Sequence, residues 1–282
     1  MTWIAVLLAT VVAIVLSRPA QGLQFTITPL APRLGDTISV ILQPAHTPTV
    51  TPTVTIDQTT YPTFPIGGNR FRALVPSSPL DKPRVLRLVV TDGIDTRNIA
   101  LQLKARSFPV QHIWLPPGKS DLGTDYEFDR VAIFKQLVTP DKFWNGKLLR
   151  PSSGPITAGY GIRRYYNGVF AHDYYHRGVD YGAGAGSPVV SPAAGRVALV
   201  GYESQGFEVH GNTVGVDHGQ GVTSIFLHLN SIRVKEGDFV QPGQVIGTIG
   251  STGAVTGPHL HWGLYVNGVS IDPAPWRDRG FE

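Results

Sequence analysis

Two histidines separated by one residue stand out in the segment TGPHLHWG, residues 256–263. In an extended strand, residues i and i+2 point to the same face, so His259 and His261 would lie side by side. Leu260 and Trp262 would then point to the opposite face. Imidazole nitrogens bind metal ions and transfer protons near neutral pH, so the pair is a candidate for either chemistry.

A second cluster, HRGVDYG, places His176 and Asp180 four residues apart. Its glycines disfavour a helix, and in an extended chain His176, Gly178 and Asp180 share one face. A side chain larger than that of Gly178 would then project toward a metal held by its neighbours. Because catalytic zinc usually has three protein ligands, one histidine of the 259/261 pair could be the third.

A further imidazole, His228, lies in the segment SIFLHLN. Strand alternation predicts that Phe226 and His228 share one face and that Leu227 and Leu229 pack in the core on the other. His228 would then be a second imidazole for the site, besides the histidine of the 259/261 pair that lies close to the metal but need not bind it.

Composition limits the chemistry that these residues can perform. The chain has 282 residues and no cysteine, so disulfides and thiolate ligands are excluded and any zinc must bind His, Asp or Glu. The net charge of +4 suits an anionic partner. Lysine and arginine are not clustered densely enough for a nucleic-acid surface, so we expect no nucleic-acid partner.

The first 22 residues are predicted to be a signal peptide or an N-terminal anchor. An uncharged apolar run extends from Trp3 to Leu16, which is short for a bilayer span but typical of a signal-peptide core. The small residues around Ala20 and Gly22 offer a cleavage site. This segment leads us to expect export to the periplasm or cell envelope. No later stretch is long and apolar enough for a membrane span.

The elements that must position the histidines divide the chain into two all-β domains. Short alternating segments separated by Pro and Gly predict an immunoglobulin-like β-sandwich over 23–105. Residues 106–150 read as a linker with one short helix in YEFDRVAIFKQLV. Its predicted apolar face consists of Phe128, Val131, Phe134, Leu137 and Val138.

Residues 151–282 are predicted to form the second domain, a compact unit of strands and hairpins. This segment holds 24 of the 32 glycines and seven of the nine histidines, and it shows almost no helical periodicity. The candidate site residues all fall within it, so we expect this domain to carry the chemistry.

The order of HRGVD, FLHLN and TGPHLHW resembles the lysostaphin/LytM-type zinc peptidases, which cleave peptidoglycan peptides. The resemblance extends over about 151–276, through segments such as ITAGYGIRR, SPVVSPAAGRV and VQPGQVIGTIGSTG. It implies a small β-sheet peptidase domain with a groove across one sheet. It further implies that His176, Asp180 and His261 bind one Zn²⁺ and that His228 and His259 are the catalytic histidines.

The resemblance also implies a tyrosine near the site that assists catalysis. The loop YYNGVFAHDYY leaves four candidates open, namely Tyr165, Tyr166, Tyr174 and Tyr175. His172 of the same loop is interpreted as an ordinary loop residue. No chemistry is assigned to His210 or His218, the latter in an expected hairpin turn.

The preferred function is a zinc-dependent endopeptidase that hydrolyses peptidoglycan stem or cross-link peptides. The main alternative is a non-catalytic peptidoglycan-binding activator of other wall hydrolases. Retention of both His228 and His259 favours the enzyme, because a binding protein needs neither. A lipoyl-type carrier or a sugar phosphotransferase is less compatible, since Lys235 lacks a carrier context and neither class needs Asp180 as a ligand.

Overall fold

The computed structural model describes residues 22–114 and 122–281. Residues 1–21, which hold nearly all of the predicted signal peptide or anchor, lie outside the described residues. Within the described ranges, no helix has the length and apolar character needed to cross a membrane. The fold class is all-β, as the sequence predicts.

The first eight strands form two four-stranded antiparallel sheets that enclose one core. The first sheet has the order β1-β2-β6-β5 and the second the order β4-β3-β7-β8. Alternate residues such as Ile38 and Val40 from one sheet meet Leu88 and Val90 from the other. The strands are β1 (Gln24–Thr28), β2 (Thr37–Gln43), β3 (Thr53–Ile56), β4 (Thr59–Tyr61), β5 (Thr63–Gly67), β6 (Arg70–Pro76), β7 (Arg84–Thr91) and β8 (Thr96–Leu103).

This strand order agrees with the pairing of constant-type immunoglobulin sandwiches, in which A-B-E-D faces C-F-G. Strand β4 adds one strand beside β3. A relation of this sandwich to immunoglobulin domains stays a prediction, as do the boundaries between the domains.

The connecting segment contributes a strand and a helix, β9 (Val110–Ile113) and α1 (Asp125–Lys135). The helix lies where the sequence predicts one, but its predicted apolar face is partly wrong. Phe128 and Val138 are exposed, whereas Glu127 is fully buried together with Val131 and Phe134. Hydrogen-bond donors from another loop surround the Glu127 carboxylate, and this non-local arrangement cannot be read from helical spacing.

The second domain is built on one large sheet with the central order β10-β13-β20-β17-β16-β15-β18, all antiparallel. Its elements are β10 (Ile156–Ala158), β11 (Arg163–Tyr166), β12 (Val169–Phe170), β13 (Val179–Tyr181), β14 (Pro188–Val190), β15 (Gly195–Gly201), β16 (Asn212–Gly219), β17 (Val222–Ile232), β18 (Phe239–Val240), β19 (Val245–Ile249), β20 (Leu260–Val266), β21 (Val269–Ile271) and the helix α2 (Pro273–Asp278), with a 3₁₀ turn at Glu203–Gln205.

The main core of this domain packs under one face of that sheet. Phe226, Leu260, Trp262 and Leu264 are completely buried there. Because Leu260 and Trp262 lie in the core, His261 between them points to the opposite face, as the strand alternation predicts.

The two domains share a buried interface on the side of strand β6. Arg72 donates from Nη2 to Oε1 of Gln220 at 3.1 Å, and its guanidinium lies 4.5 Å from the ring centre of Trp144. Asn267 donates to the carbonyl oxygen of Leu74 at 2.7 Å. Since this contact falls beyond the C-terminal end of β20, it lies at the opposite end of that strand from His261.

Candidate metal and catalytic site

Two adjacent strands bring the first metal-ligand candidates together. Asp180 in β13 is the direct cross-strand partner of His261 in β20, so their side chains emerge on one face. His176 precedes β13 and is fixed by two backbone hydrogen bonds, from its N to the Ile162 oxygen at 2.8 Å and from Gly161 N to its oxygen at 2.9 Å. The three side chains therefore converge from a loop and two strands.

The polar atoms of these three residues are almost in contact. His176 Nε2 lies 3.0 Å from Asp180 Oδ1 and 3.0 Å from His261 Nδ1. The same Oδ1 lies 2.9 Å from His261 Nδ1. All three residues are buried, and they form a group that could hold a metal ion.

The hydrogen bonds behind this group indicate that it fits a cation. The Gly159 carbonyl, 2.7 Å from His176 Nδ1, can only accept, so Nδ1 carries the proton of the neutral ring. Nε2 then offers a lone pair to the centre of the group, and so does the Asp180 carboxylate. Atoms with lone pairs at 3.0 Å repel one another unless a proton or metal ion lies between them, and two imidazoles with one carboxylate suit zinc.

Electrostatics favour the protonation states that a metal requires. Burial by itself raises the pKa of Asp180, but His176 and His261, when they carry the extra proton in the metal-free site, outweigh it and hold that pKa well below the usual range. Burial lowers the pKa of His261 to about 4. A charged carboxylate and a neutral imidazole are the forms that bind metal.

Gly178 lies between the ligands and against strand β20. A Cβ at this position would lie 2.4 Å from the backbone oxygen of Trp262 and 2.7 Å from His261 Nε2. The prediction that a side chain here would project toward the ligand group agrees with this geometry, and the contact is with the ring of His261.

His228 is brought to the site by a backbone irregularity that reverses the predicted alternation. Phe226 and Leu229 lie in the main core, and Leu227, the partner of His261, lies on the site face, so the predicted faces are wrong. The reason is that His228 has φ = 65° and the strand register shifts beside it. This left-handed residue turns its imidazole to the site face, where its ring centre lies 6.4 Å from that of His261.

The orientation of the His228 ring is set by a backbone carbonyl. Nδ1 lies 3.0 Å from the Thr252 oxygen, which can only accept, so Nδ1–H donates and Nε2 is the basic nitrogen. Burial and the nearby histidines His259 and His261 lower the pKa of His228 well below its usual value. The ring is therefore a neutral proton acceptor at neutral pH.

His259 completes the site from the edge of β20. Its ring centre lies 5.0 Å from that of His228, and Nε2 lies 4.0 Å from Asp180 Oδ1. Nδ1–H donates to the Gly257 oxygen at 2.9 Å, which again leaves Nε2 toward the metal-ligand group. His259 is more exposed than His228, with 23% of its side chain accessible. All five predicted residues thus meet, and their roles stay a prediction.

Two of the four candidate tyrosines are connected to this site through Arg164. Tyr166 and Tyr174 both accept hydrogen bonds from Arg164, whose Nη2 lies 3.9 Å from Asp180 Oδ2. Tyr175 is instead buried and donates to the Ser270 oxygen. Tyr165 stacks on a histidine of β9, on the other face of the small β12-β11-β9 sheet.

Sequence reasoning missed Arg164 and Glu127. Arg164 adjoins the recognisable segment GYGIR, but its proximity to Asp180 depends on the hydrogen bonds of Gly161 and Ile162 with the backbone of His176, which spacing does not reveal. Glu127 lies in the predicted helix, where a glutamate three residues after Thr124 is the ordinary sign of a capping box. His210, to which no chemistry was assigned, pairs with Glu127, as its Nδ1 lies 2.7 Å from the carboxylate.

His218 and His172 lie outside the metal-ligand group, and His218 lies at the end of strand β16 rather than in the expected turn. His218 precedes the hairpin turn between β16 and β17, and its ring is held between the Ala194 oxygen at 2.8 Å and Ser224 Oγ at 2.9 Å. His172 packs edge-on against Phe170 and does not belong to the metal-ligand group.

Comparison with known proteins agrees with this geometry. The family model described as "Peptidase family M23" matches residues 174–273. The crystal structure of the catalytic domain of the antimicrobial peptidase lysostaphin from Staphylococcus simulans is 33% identical, with 44% of this chain covering 92% of that domain at a TM-score of 0.38. Residues 174–273 therefore form an M23 peptidase domain.

Other relatives extend the M23 similarity over different lengths. A crystal structure assigned to peptidase M23 from Pseudomonas aeruginosa is 27% identical, with 89% of this chain covering 96% of that one at a TM-score of 0.65. Peptidoglycan DD-endopeptidase ShyC from Vibrio cholerae is 42% identical over 98 residues, 35% of this chain and 22% of its own length. The matched curated relatives are covered over only 20% to 33% of their lengths.

The M23 assignment confirms the predicted family and agrees with the predicted zinc cofactor. The resemblance rested on the three histidine-containing motifs, and the matched range contains all of them. The His-Asp-His group of the M23 domain supplies the nitrogen and oxygen ligands that zinc prefers.

Proposed function

We propose that this M23 protein is a zinc-dependent endopeptidase that hydrolyses peptide bonds in the stem or cross-link peptides of bacterial peptidoglycan. The convergence of His176 Nε2, Asp180 Oδ1 and His261 Nδ1 within 3.0 Å carries this proposal. Relatives that act on peptidoglycan, such as the DD-endopeptidase ShyC, support the substrate class. Export to the periplasm or envelope belongs to the same proposal, because peptidoglycan lies outside the cytoplasm.

In this proposal His176, Asp180 and His261 hold Zn²⁺. When bound, the ion supplies Lewis-acid polarisation of the scissile carbonyl and lowers the pKa of water at the site. The chain's own residues then manage protons and charge.

His228 and His259 direct their basic Nε2 atoms to the same space. One imidazole accepts a proton as water attacks the carbonyl carbon, and a proton is then delivered to the departing amine nitrogen. A protonated or N–H-bearing ring also stabilises the developing oxyanion. Tyr166 and Tyr174, bound to Arg164 beside Asp180, are placed to contact the same substrate atoms.

The non-catalytic activator is the weaker alternative. An activator needs a groove but not two imidazoles with their tautomers fixed by the Thr252 and Gly257 carbonyls. The fixed basic nitrogens of His228 and His259 favour proton transfer and therefore an enzyme.

The deciding experiment is digestion of isolated peptidoglycan by the chain without residues 1–22, with and without a zinc chelator. Mass spectrometry of the released fragments identifies the bond that is cut. We expect chelator-sensitive peptide cleavage, no cleavage by Asp180→Ala, and normal cleavage by Asp173→Ala, a variant of an exposed carboxylate in the nearby loop. Zinc binding without any fragment release would favour the activator instead.

A further inference from the structure

We propose that Glu127, in the helix that precedes the M23 domain, is a positioning residue for His228. The inference rests on the proposed peptidase function and extends it. It makes helix α1 of the connecting segment part of the catalytic unit, although the family match begins only at residue 174.

Glu127 is wholly buried, and its carboxylate is surrounded by donors from a distant loop. It accepts from Val209 N at 3.1 Å and from His210 N at 3.1 Å. His210 Nδ1 lies 2.7 Å from Oε2. The capping box of helix α1 needs only the additional contact from Thr124 N at 3.2 Å. Most of the hydrogen bonds of this carboxylate therefore serve residues more than 80 positions away.

The loop that Glu127 binds is in turn bonded to the backbone of His228. The carbonyl oxygen of His210 accepts from His228 N at 3.0 Å. A left-handed backbone at a non-glycine residue carries a free-energy cost and persists only when its surroundings fix it. The carbonyl of His210 is one of the groups that fix this conformation and so turn the imidazole of His228 to the site face.

The second support of His228 packs against the same loop. Thr252 O, which accepts from His228 Nδ1, precedes Gly253, and a Cβ on Gly253 would lie 2.6 Å from both Gly211 N and Val209 O. Ala254 N also donates to Val209 O at 3.0 Å. The two carbonyls that orient His228 therefore belong to loops in direct contact, and Glu127 holds one of them.

Burying a carboxylate under a helix carries a free-energy cost of desolvation that an apolar side chain would not carry. Burial raises the pKa of Glu127, but the hydrogen bonds from His210 and Val209 outweigh it and bring that pKa below its usual value. The carboxylate therefore stays charged and keeps the loop's N–H groups oriented. We infer that this charge fixes the orientation of the His228 imidazole and does not serve helix packing alone.

Glu127→Gln is the first test. The amide nitrogen of the glutamine cannot accept a hydrogen bond, so it would face N–H donors that now bind a carboxylate oxygen. We expect kcat on peptidoglycan peptides to fall by about 10- to 100-fold, the range typical of supporting residues, with KM and zinc stoichiometry unchanged. Glu127→Asp, which keeps the charge, should recover part of the loss. Asp129→Asn, an exposed carboxylate on the same helix, is the matched control and should behave as wild type.

The tautomer of His228 distinguishes the two roles, because it would not change if Glu127 only stabilised the fold. Nitrogen-15 NMR of the zinc-loaded protein, assigned by the signal missing in His228→Ala, should show the Nδ1–H form in wild type. Glu127→Gln should show a mixture of tautomers. This readout does not need activity, so it tests the inference even when no peptidoglycan bond is cut.

A folded Glu127→Gln protein with wild-type kcat and an unchanged His228 tautomer would overturn the inference. If that variant does not fold, His210→Ala replaces it, since it removes the charge-assisted bond to Glu127 and leaves the carboxylate in place. A wild-type tautomer in folded His210→Ala would overturn the inference equally. Wild-type protein that cuts no peptidoglycan would instead count against the proposed function.

Discussion

Replacing Gly178 by alanine should weaken zinc binding by at least about 10-fold. The added Cβ would lie 2.4 Å from the Trp262 oxygen and 2.7 Å from His261 Nε2. Since Cβ atoms essentially never approach other heavy atoms within 3.0 Å, the first pair must separate by about 0.6 Å and the second by about 0.3 Å. The left-handed region is not involved, so the clash and not backbone strain would cause the effect.

The direction of the movement decides its effect on the metal. Trp262 lies in a central strand, paired with Val179 on one side and Phe226 on the other, so its backbone is hard to displace. The segment that holds His176 and Asp180 must therefore move away from His261. Metal and catalytic sites tolerate about 0.5 Å of misplacement, and supporting changes typically cost 10- to 100-fold in metal affinity. Overpacking should also lower the free energy of unfolding by about 1–3 kcal/mol.

Competition with a chromogenic chelator measures zinc affinity, and urea unfolding measures stability. Gly184→Ala is the matched control, because a Cβ at Gly184 would have nothing within 4 Å and the residue is exposed. We expect that control to retain wild-type affinity. Wild-type zinc affinity in folded Gly178→Ala would refute the close approach between Gly178 and the ligand His261.

Three further predictions concern rate, pH dependence and stability. His228→Ala should keep stoichiometric zinc but lose about 10²- to 10⁴-fold in kcat, measured on peptidoglycan peptides, and full activity would contradict its role as a proton-transfer group. Burial lowers the pKa of His218 from 6.5 to about 4, so the unfolded state binds the proton more readily and up to about 3 kcal/mol of stability is lost as the pH falls from 6.5 to 4. Urea unfolding across that range should show a shallower loss in His218→Asn than in wild type or in His46→Asn, an exposed control; equal slopes would contradict this. In Arg72→Met, the free energy of unfolding measured in urea should stay within about 1 kcal/mol of wild type, because the buried Nη1 has no hydrogen-bond partner among the described residues. Arg72→Ala should lose about 2–4 kcal/mol, because it also removes the packing of the side chain. Equal losses in the two variants would show that the charge itself stabilises the interface.

The sequence predicts the strand faces that carry Asp180 and His261, because strand alternation is a local property. Asp180 and His261 each lie in a short strand, where alternation alone decides the face of the side chain. The placement of Leu260 and Trp262 in the core follows from the same rule. Which histidine of the pair binds metal came from the resemblance, since both lie on one face.

The sequence fails where the backbone is irregular or the contact is distant. Alternation assigns the wrong partners to His228 because a left-handed residue and a register shift are not visible in the residue pattern. Arg164 and Glu127 escape detection because their importance depends on partners elsewhere in the chain. Helical spacing also assigned Phe128 to the buried face, although the neighbouring carboxylate occupies it.

The Gly159 carbonyl fixes the tautomer of His176, so any segment that is to carry the metal site into another protein must include Gly159. A graft of residues 174–273 into another protein would transfer all five predicted site residues. It would leave behind Gly159, and with it the acceptor that directs the lone pair of Nε2 toward Asp180. Chimeras that exchange only the family segment would therefore combine the ligands of one protein with the supporting backbone of another. Exchanges intended to alter specificity should begin upstream of Gly159.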